Sequence, residues 1–144
     1  MKRKAVLDSS VLVSAFIKPH GTTAKLLRAA EGGAFVLYLS PEILSETAEV
    51  LLRPKITERY RRAPGAAQEF CAGLAESAQL VRGLAELRGA VPLDPKDDKI
   101  VATAVKAGAG YLVTGDRRHL LSLGEYEGIK VVTPREFFDL LGAG

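Results

Sequence analysis

The sequence predicts a three-layer α/β/α fold with a central parallel sheet. Short, uninterrupted apolar runs at Ala5–Leu7, Phe35–Leu39 and Tyr111–Val113 have the length and composition of strands buried on both faces. They alternate with longer segments of helical periodicity, and turn or cap residues separate the two kinds of segment. Strands alternating with helices bury both faces of a parallel sheet.

Taken in order, Ala5–Leu7 is the first strand and Ser10–Ile17 a helix that ends near Pro19 and Gly21. Thr22 or Thr23 is expected to cap a second helix, which runs through Glu31 and stops at Gly32-Gly33. Phe35–Leu39 is the second strand. Ser40 is placed to cap a helix whose first position is Pro41 and which extends to about Leu52. Residues 54–62 read as a short helix before a turn at Pro64-Gly65, and 66–79 as another helix, with a brief strand at 79–81. Residues 82–93 carry no clear period. Asp94 and Pro95 open a helix to about Ala107, ended by Gly108 and Gly110. Tyr111–Val113 is the third clear strand, Lys130–Val132 the last, and Thr133-Pro134 begins a C-terminal helix.

A chain of 144 residues fits one domain spanning 1–144. With no tryptophan and few aromatics the core is expected to be aliphatic. The single cysteine, Cys71, excludes an internal disulfide and a cysteine-based zinc site. The basic start Met1-Lys2-Arg3-Lys4 resembles a signal peptide, but Asp8 interrupts the apolar run that follows. No window reaches the length of a membrane span, so a cytoplasmic protein is expected. A net charge of +3 permits an anionic partner without demanding one. The basic residues cluster more than that total suggests: "RPKITERYRR" (53–62) sets five cations against Glu58. Such a run is either a solvated helix end or a surface for a polyanion.

The stretch "AVLDSSVLV" (5–13) ends a buried strand on a carboxylate, which is costly unless something offsets its charge. Three further acids have placements that converge on the same sheet edge. Glu46 lies on the border of the apolar stripe Ile43, Leu44, Val50 and Leu51. In "LDPKDDKIVATA" (93–104), Asp94 and Asp97 have capping positions, whereas Asp98 aligns with Val105 at the edge of the stripe Ile100, Val101, Ala104 and Val105. Pattern alone barely separates Asp97 from Asp98. Asp116 follows "YLVTG" (111–115), just past a strand end. Each acid also has an ordinary reading as a cap or a solvated side chain. Together, at ~4 Å, each pair would repel by about 4 kcal/mol even at an effective dielectric near 20. Such a cluster must protonate, spread or bind a cation. Oxygen ligands with almost no histidine or cysteine nearby favour Mg²⁺ or Mn²⁺ over zinc. His119 reads as a turn or surface residue.

The segments "VLDSSVLVSAF", "LSPEILSETAEVL", "PKDDKIVATAVKAGAGYLVTGD" and "VVTPREFF" together resemble PIN-domain ribonucleases, in particular the VapC-like toxins of toxin–antitoxin pairs. The resemblance covers essentially the whole chain and rests on order and context more than on any one motif. It implies that Asp8, Glu46, Asp98 and Asp116 form a metal-binding and catalytic set, with Thr114 and Ser10 in support. Family members often carry asparagine where Ser10 stands. Asp8 and Asp98 would be central ligands, Glu46 would complete the site directly or through water, and Asp116 would serve a second ion or orient water. The implied activity is metal-dependent hydrolysis of single-stranded RNA, leaving a 5′-phosphate and a 3′-hydroxyl. An acidic site also needs flanking cations, for which Arg53, Lys55, Arg61, Arg62, Arg117 and Arg118 are candidates. A cognate antitoxin and a homodimer are the expected protein partners.

Two readings compete. A phosphohydrolase with Asp8 as nucleophile would want a second acid two residues on, where Ser10 stands. A catalytically silent PIN fold used for RNA or protein docking would not need all four acids.

Overall fold

A computed structural model describes residues 2–60, 65–82, 95–115 and 124–143, and side chains throughout these except at 95–98 and 143. Its strands are β1 (Lys4–Leu7), β2 (Val36–Leu39), β3 (Gln79–Leu80), β4 (Tyr111–Val113), β5 (Glu125–Tyr126) and β6 (Ile129–Val132). Its helices are α1 (Ser9–Ile17), α2 (Thr22–Glu31), α3 (Pro41–Leu51), α4 (Pro54–Arg59), α5 (Ala66–Ser77), α6 (Pro95–Ala107) and α7 (Pro134–Ala143). The strands form one sheet in the order β3-β2-β1-β4-β6-β5, flanked by helices. All neighbours pair in parallel except β5 with β6. The predicted α/β fold with a central parallel sheet is therefore the observed one.

β1 lies inside the sheet between β2 and β4, which explains why Ala5, Val6 and Leu7 are completely buried. A parallel strand covered by helices has no solvent face for alternation to mark. Around it pack Leu12, Leu26, Leu37, Leu39, Ile43, Leu112 and Val113. The aliphatic expectation holds for this centre and needs correction around it. Phe35 and Phe137 are both buried in an edge-on contact, with centroids 5.0 Å apart, and Tyr111 joins Phe137 at 5.3 Å. These rings fasten α7 to the body. Aromatic contacts of this kind contribute about 0.5–1.5 kcal/mol beyond area burial.

Two local expectations also change. The α2 cap is Gly21, without a side-chain bond, in extended geometry. The Thr23 hydroxyl instead meets Ser14 on α1 at 3.2 Å, joining the two helices. β5 was not expected. It pairs with β6 around Glu127 (φ 48°) and Gly128 (φ 83°), and positive φ at both central residues is the signature of a tight type I′ hairpin.

Strand register sets the working edge. Leu7 pairs with Val113, so the next residues, Asp8 and Thr114, stand abreast. Val113 in turn pairs with Val132, bringing Thr133 level with Thr114. On the other side Val6 pairs with Tyr38, which sets Ser40 level with Asp8. Asp8 and Ser40 cap α1 and α3 directly as the chain leaves the sheet. Thr133 starts α7 through a reciprocal pair: its N–H donates to Glu136 at 2.9 Å, and its hydroxyl accepts from the Glu136 N–H at 3.1 Å.

Candidate active site

Asp8 is 3% exposed at the carboxyl end of the sheet, where ligands bind in open α/β folds. Its N–H continues the β1 ladder by donating to the Val113 carbonyl at 3.1 Å. Its Oδ1 accepts from the Ser10 hydroxyl at 2.6 Å and from the Val11 N–H at 3.0 Å. Its Oδ2 accepts from the Thr114 hydroxyl. A carboxylate so placed also gains from the positive end of α1. The charge that the apolar run would leave stranded is thus offset by donors from α1 and from β4's end. Ser10, two residues after Asp8, and Thr114, abreast of it on β4's end, both donate to its carboxylate.

Glu46 sits half-buried on α3, whose buried face is Ile43, Thr47 and Leu51. Its border position follows from that face: residue 46 precedes the buried Thr47 and is turned partly toward solvent. Its Oε2 accepts from the Ser9 hydroxyl at 3.0 Å, and Lys99 Nζ lies 3.9 Å away. Ser9 immediately follows Asp8, so one residue couples the two acids through the first turn of α1. Ser9 has no role in the pattern of strands and caps; its place directly after Asp8 is the one sequence feature that points to it.

α6 carries Asp98 and Lys99 to this edge. It packs on β1, β2, β4 and α3. Buried Thr103 fixes it: its hydroxyl meets the Lys99 carbonyl at 2.6 Å and the Ser40 hydroxyl at 3.0 Å. Ser40 also accepts from the Ile43 N–H at 3.3 Å. This link ties α6 to the start of α3. Asp98 is on α6, but its side chain, like that of Asp97, lies outside the described residues, as do Asp116, Arg117, Arg118, Arg61, Arg62 and the expected cap Asp94. Among the described residues no three acid, histidine or cysteine side chains form a metal-binding group. Asp8 and Glu46 with their hydroxyl partners present oxygen only, a donor set that fits a hard divalent ion such as Mg²⁺ or Mn²⁺. Cys71, half-buried on α5, has its thiol pushed up by burial, the reverse of an activated nucleophile.

The basic run lies elsewhere. α3 has 11 residues and is about 16 Å long, so Arg53 and Lys55 begin at its far end from Ser40. Both are exposed; Arg53 pairs with Glu49 at 3.5 Å, and the neighbouring Arg59 lies over the Tyr60 ring at 5.5 Å. Among the described residues no helix is long and apolar enough to cross a membrane.

This arrangement can be compared with known proteins. An uncharacterized protein of Methanocaldococcus jannaschii, MJ1680, is 28% identical over 147 residues, covering 96% of this chain and 92% of its own. Among solved structures, PAE2754 from Pyrobaculum aerophilum superposes with a TM-score of 0.64 at 19% identity, over 99% of this chain and 91% of that one. VapBC2 from Rickettsia felis, bound to a DNA fragment from its promoter, gives 0.63 at 13% identity, over 90% of this chain and 98% of that one. DNA-bound VapBC from Salmonella typhimurium gives 0.63 at 15% identity, over 92% and 98%. At these identities the solved structures establish the shared fold. The PIN domain family matches residues 4–118, a span that contains the β1 carboxylate, the α3 glutamate, α6 and the end of β4, and the chain therefore belongs to the PIN domain family.

Proposed function

We propose that this protein is a Mg²⁺- or Mn²⁺-dependent endoribonuclease acting on single-stranded RNA. The observation that carries this reading is the coupling, through Ser9, of a buried carboxylate at the sheet's carboxyl edge to a second carboxylate on α3. PIN domains are typically nucleases and generally bind divalent metals, which supports it.

In this reading Asp8 and Asp98 hold the ion centrally, Glu46 completes the site, and Asp116 serves a second ion or orients water. When bound, a divalent ion supplies charge neutralisation and Lewis acidity toward phosphate and water. The chain's own contribution is pre-orientation. Ser10, Thr114 and the Val11 N–H fix the Asp8 carboxylate, and Ser9 fixes Glu46, so little freedom is lost when the site fills. Arg53, Lys55, Arg61, Arg62, Arg117 and Arg118 are assigned to RNA beyond the cleaved bond. Arg53 and Lys55, a helix length away, would meet flanking nucleotides.

The VapBC likeness supports a further assignment as the toxin of a toxin–antitoxin pair. The antitoxin would insert an arginine- or lysine-bearing segment among the carboxylates and so exclude the ion. A homodimer and a cytoplasmic location belong to the same reading.

The test is cleavage of single-stranded RNA by pure protein with Mn²⁺, with and without chelator. Activity is expected to disappear with chelator and in both Asp8→Asn and Asp98→Asn. Cleavage surviving both substitutions would place the chemistry elsewhere, and inactivity on every RNA would favour a docking module.

A further inference from the structure

Lys99 is the element of this edge that metal ligation leaves unexplained. Its ammonium lies 3.9 Å from Glu46 Oε2, at the outer limit of an ion pair, with the lysine side chain 29% and the glutamate side chain 20% exposed. Glu46 does not need it for orientation, because the same oxygen already accepts from Ser9 at 3.0 Å. Nor does stability account for it. At 3.9 Å the pair is too long to hydrogen-bond, and desolvating two groups no more than 29% exposed, together with ordering a lysine side chain, offsets its attraction. Yet its backbone is well fixed: the Thr103 hydroxyl bonds the Lys99 carbonyl and ties this turn of α6 to Ser40. The molecule thus holds a flexible point charge at the rim of an acidic edge.

We propose that Lys99 is a phosphate-binding residue that holds the RNA backbone on the Glu46 side of the site, at the expense of divalent-ion affinity. This rests on the ribonuclease reading above. Carboxylates that bind a cation repel a polyanion, and an ammonium beside one of them gives the phosphodiester a local anchor. The same ammonium repels a divalent ion that shares Glu46. At ~6 Å even the dielectric of water makes that repulsion about a 10-fold loss of ion affinity, and the partial burial of both side chains makes it larger. Substrate and metal therefore respond to Lys99 with opposite signs, which a scaffolding role does not produce.

The test uses the full chain and two binding measurements that need no turnover. Mn²⁺ affinity is read from the electron paramagnetic resonance of free Mn²⁺. RNA affinity is read from the anisotropy of a fluorescein-labelled 2′-O-methyl oligoribonucleotide in EDTA. Lys99→Met is expected to bind Mn²⁺ at least about 10-fold more tightly and the oligonucleotide about 3–10-fold more weakly, with a shallower salt dependence. Lys99→Gln should repeat both shifts, and Lys99→Arg should restore RNA affinity. Weakening of both ligands, or of neither, in both uncharged variants would overturn the proposal. If wild type binds Mn²⁺ through Asp8 while the Lys99 variants are unchanged, the Lys99 assignment alone fails. If wild type binds no Mn²⁺, the ribonuclease reading fails and the Lys99 assignment goes with it.

Discussion

Asp8 has two jobs that substitution can separate: it caps α1, and in the account above it binds the ion. Asp8→Ala removes the acceptor for the Val11 N–H, a capping loss of about 0.5–2 kcal/mol. It also takes from the fully buried Thr114 hydroxyl the acceptor at Asp8, adding about 1–2 kcal/mol. Ser10 is exposed, so water can replace its bond. The sum is about 1.5–4 kcal/mol, or roughly 5–13 °C in Tm for a chain of this size. Asp8→Asn keeps a carbonyl oxygen for Val11 and Ser10, asparagine is among the best caps, and its NH₂, in the place of Oδ2, donates to the Thr114 hydroxyl oxygen so that this bond reverses rather than disappears. It loses the negative charge at the helix N-terminus, worth about 0.3–1 kcal/mol. The asparagine protein should therefore unfold within about 1 kcal/mol of wild type. Ion binding should separate the pair differently. At a Mn²⁺ concentration of ~100 Kd, linkage stabilises wild type by about 2.7 kcal/mol, roughly 10 °C, and neither variant should gain this. Thermal and urea unfolding of the three proteins, with and without MnCl₂, provide the assay. An asparagine variant as unstable as the alanine one, or one retaining the full Mn²⁺ shift, would refute the reasoning.

Two further outcomes follow from the same edge. Ser40→Ala should cost about 1–3 kcal/mol in urea unfolding, because it removes the α3 cap and one partner of buried Thr103; an unchanged midpoint would mean that the tie between α6 and α3 is idle. The Thr133 N–H and hydroxyl hold the exposed Glu136 carboxyl below its ordinary range, so its small stabilising effect is present at neutral pH and is lost as pH falls through its lowered titration point. An NMR titration should show Glu136 ionising below a free glutamate, and Thr133→Val should raise it part of the way.

The β-to-α junctions were legible because physics compresses them into adjacent residues. Strand, cap and helix follow without a loop at Leu7-Asp8-Ser9 and Leu39-Ser40-Pro41, so apolar runs and cap preferences mark the same boundary. The β5 hairpin was missed because a strand of two residues has no period, and its turn puts a glutamate rather than a glycine at one of the two positive-φ positions. Thr47 and Thr103 look polar in a helical pattern yet are completely buried. Each hydroxyl bonds the carbonyl four residues back, Ile43 and Lys99, and so enters the core satisfied. Asp8 and Glu46 could be singled out from strand-end and stripe-border positions. The part played by Ser9 could not, because it depends on where α3 lies against α1, which no local pattern encodes. Asp97 and Asp98 adjoin in sequence, and periodicity separates neighbours only by a fraction of a turn.

The central claim is that the carboxylates at the sheet's carboxyl edge share a divalent cation. The most direct measurement is anomalous scattering from crystals of the protein soaked in MnCl₂. The account predicts a peak bound by Asp8 at about 2.0–2.2 Å, with Glu46 reaching it directly or through one water. A well-diffracting crystal with no peak at Asp8, or with manganese bound only at sites remote from both side chains, would contradict it.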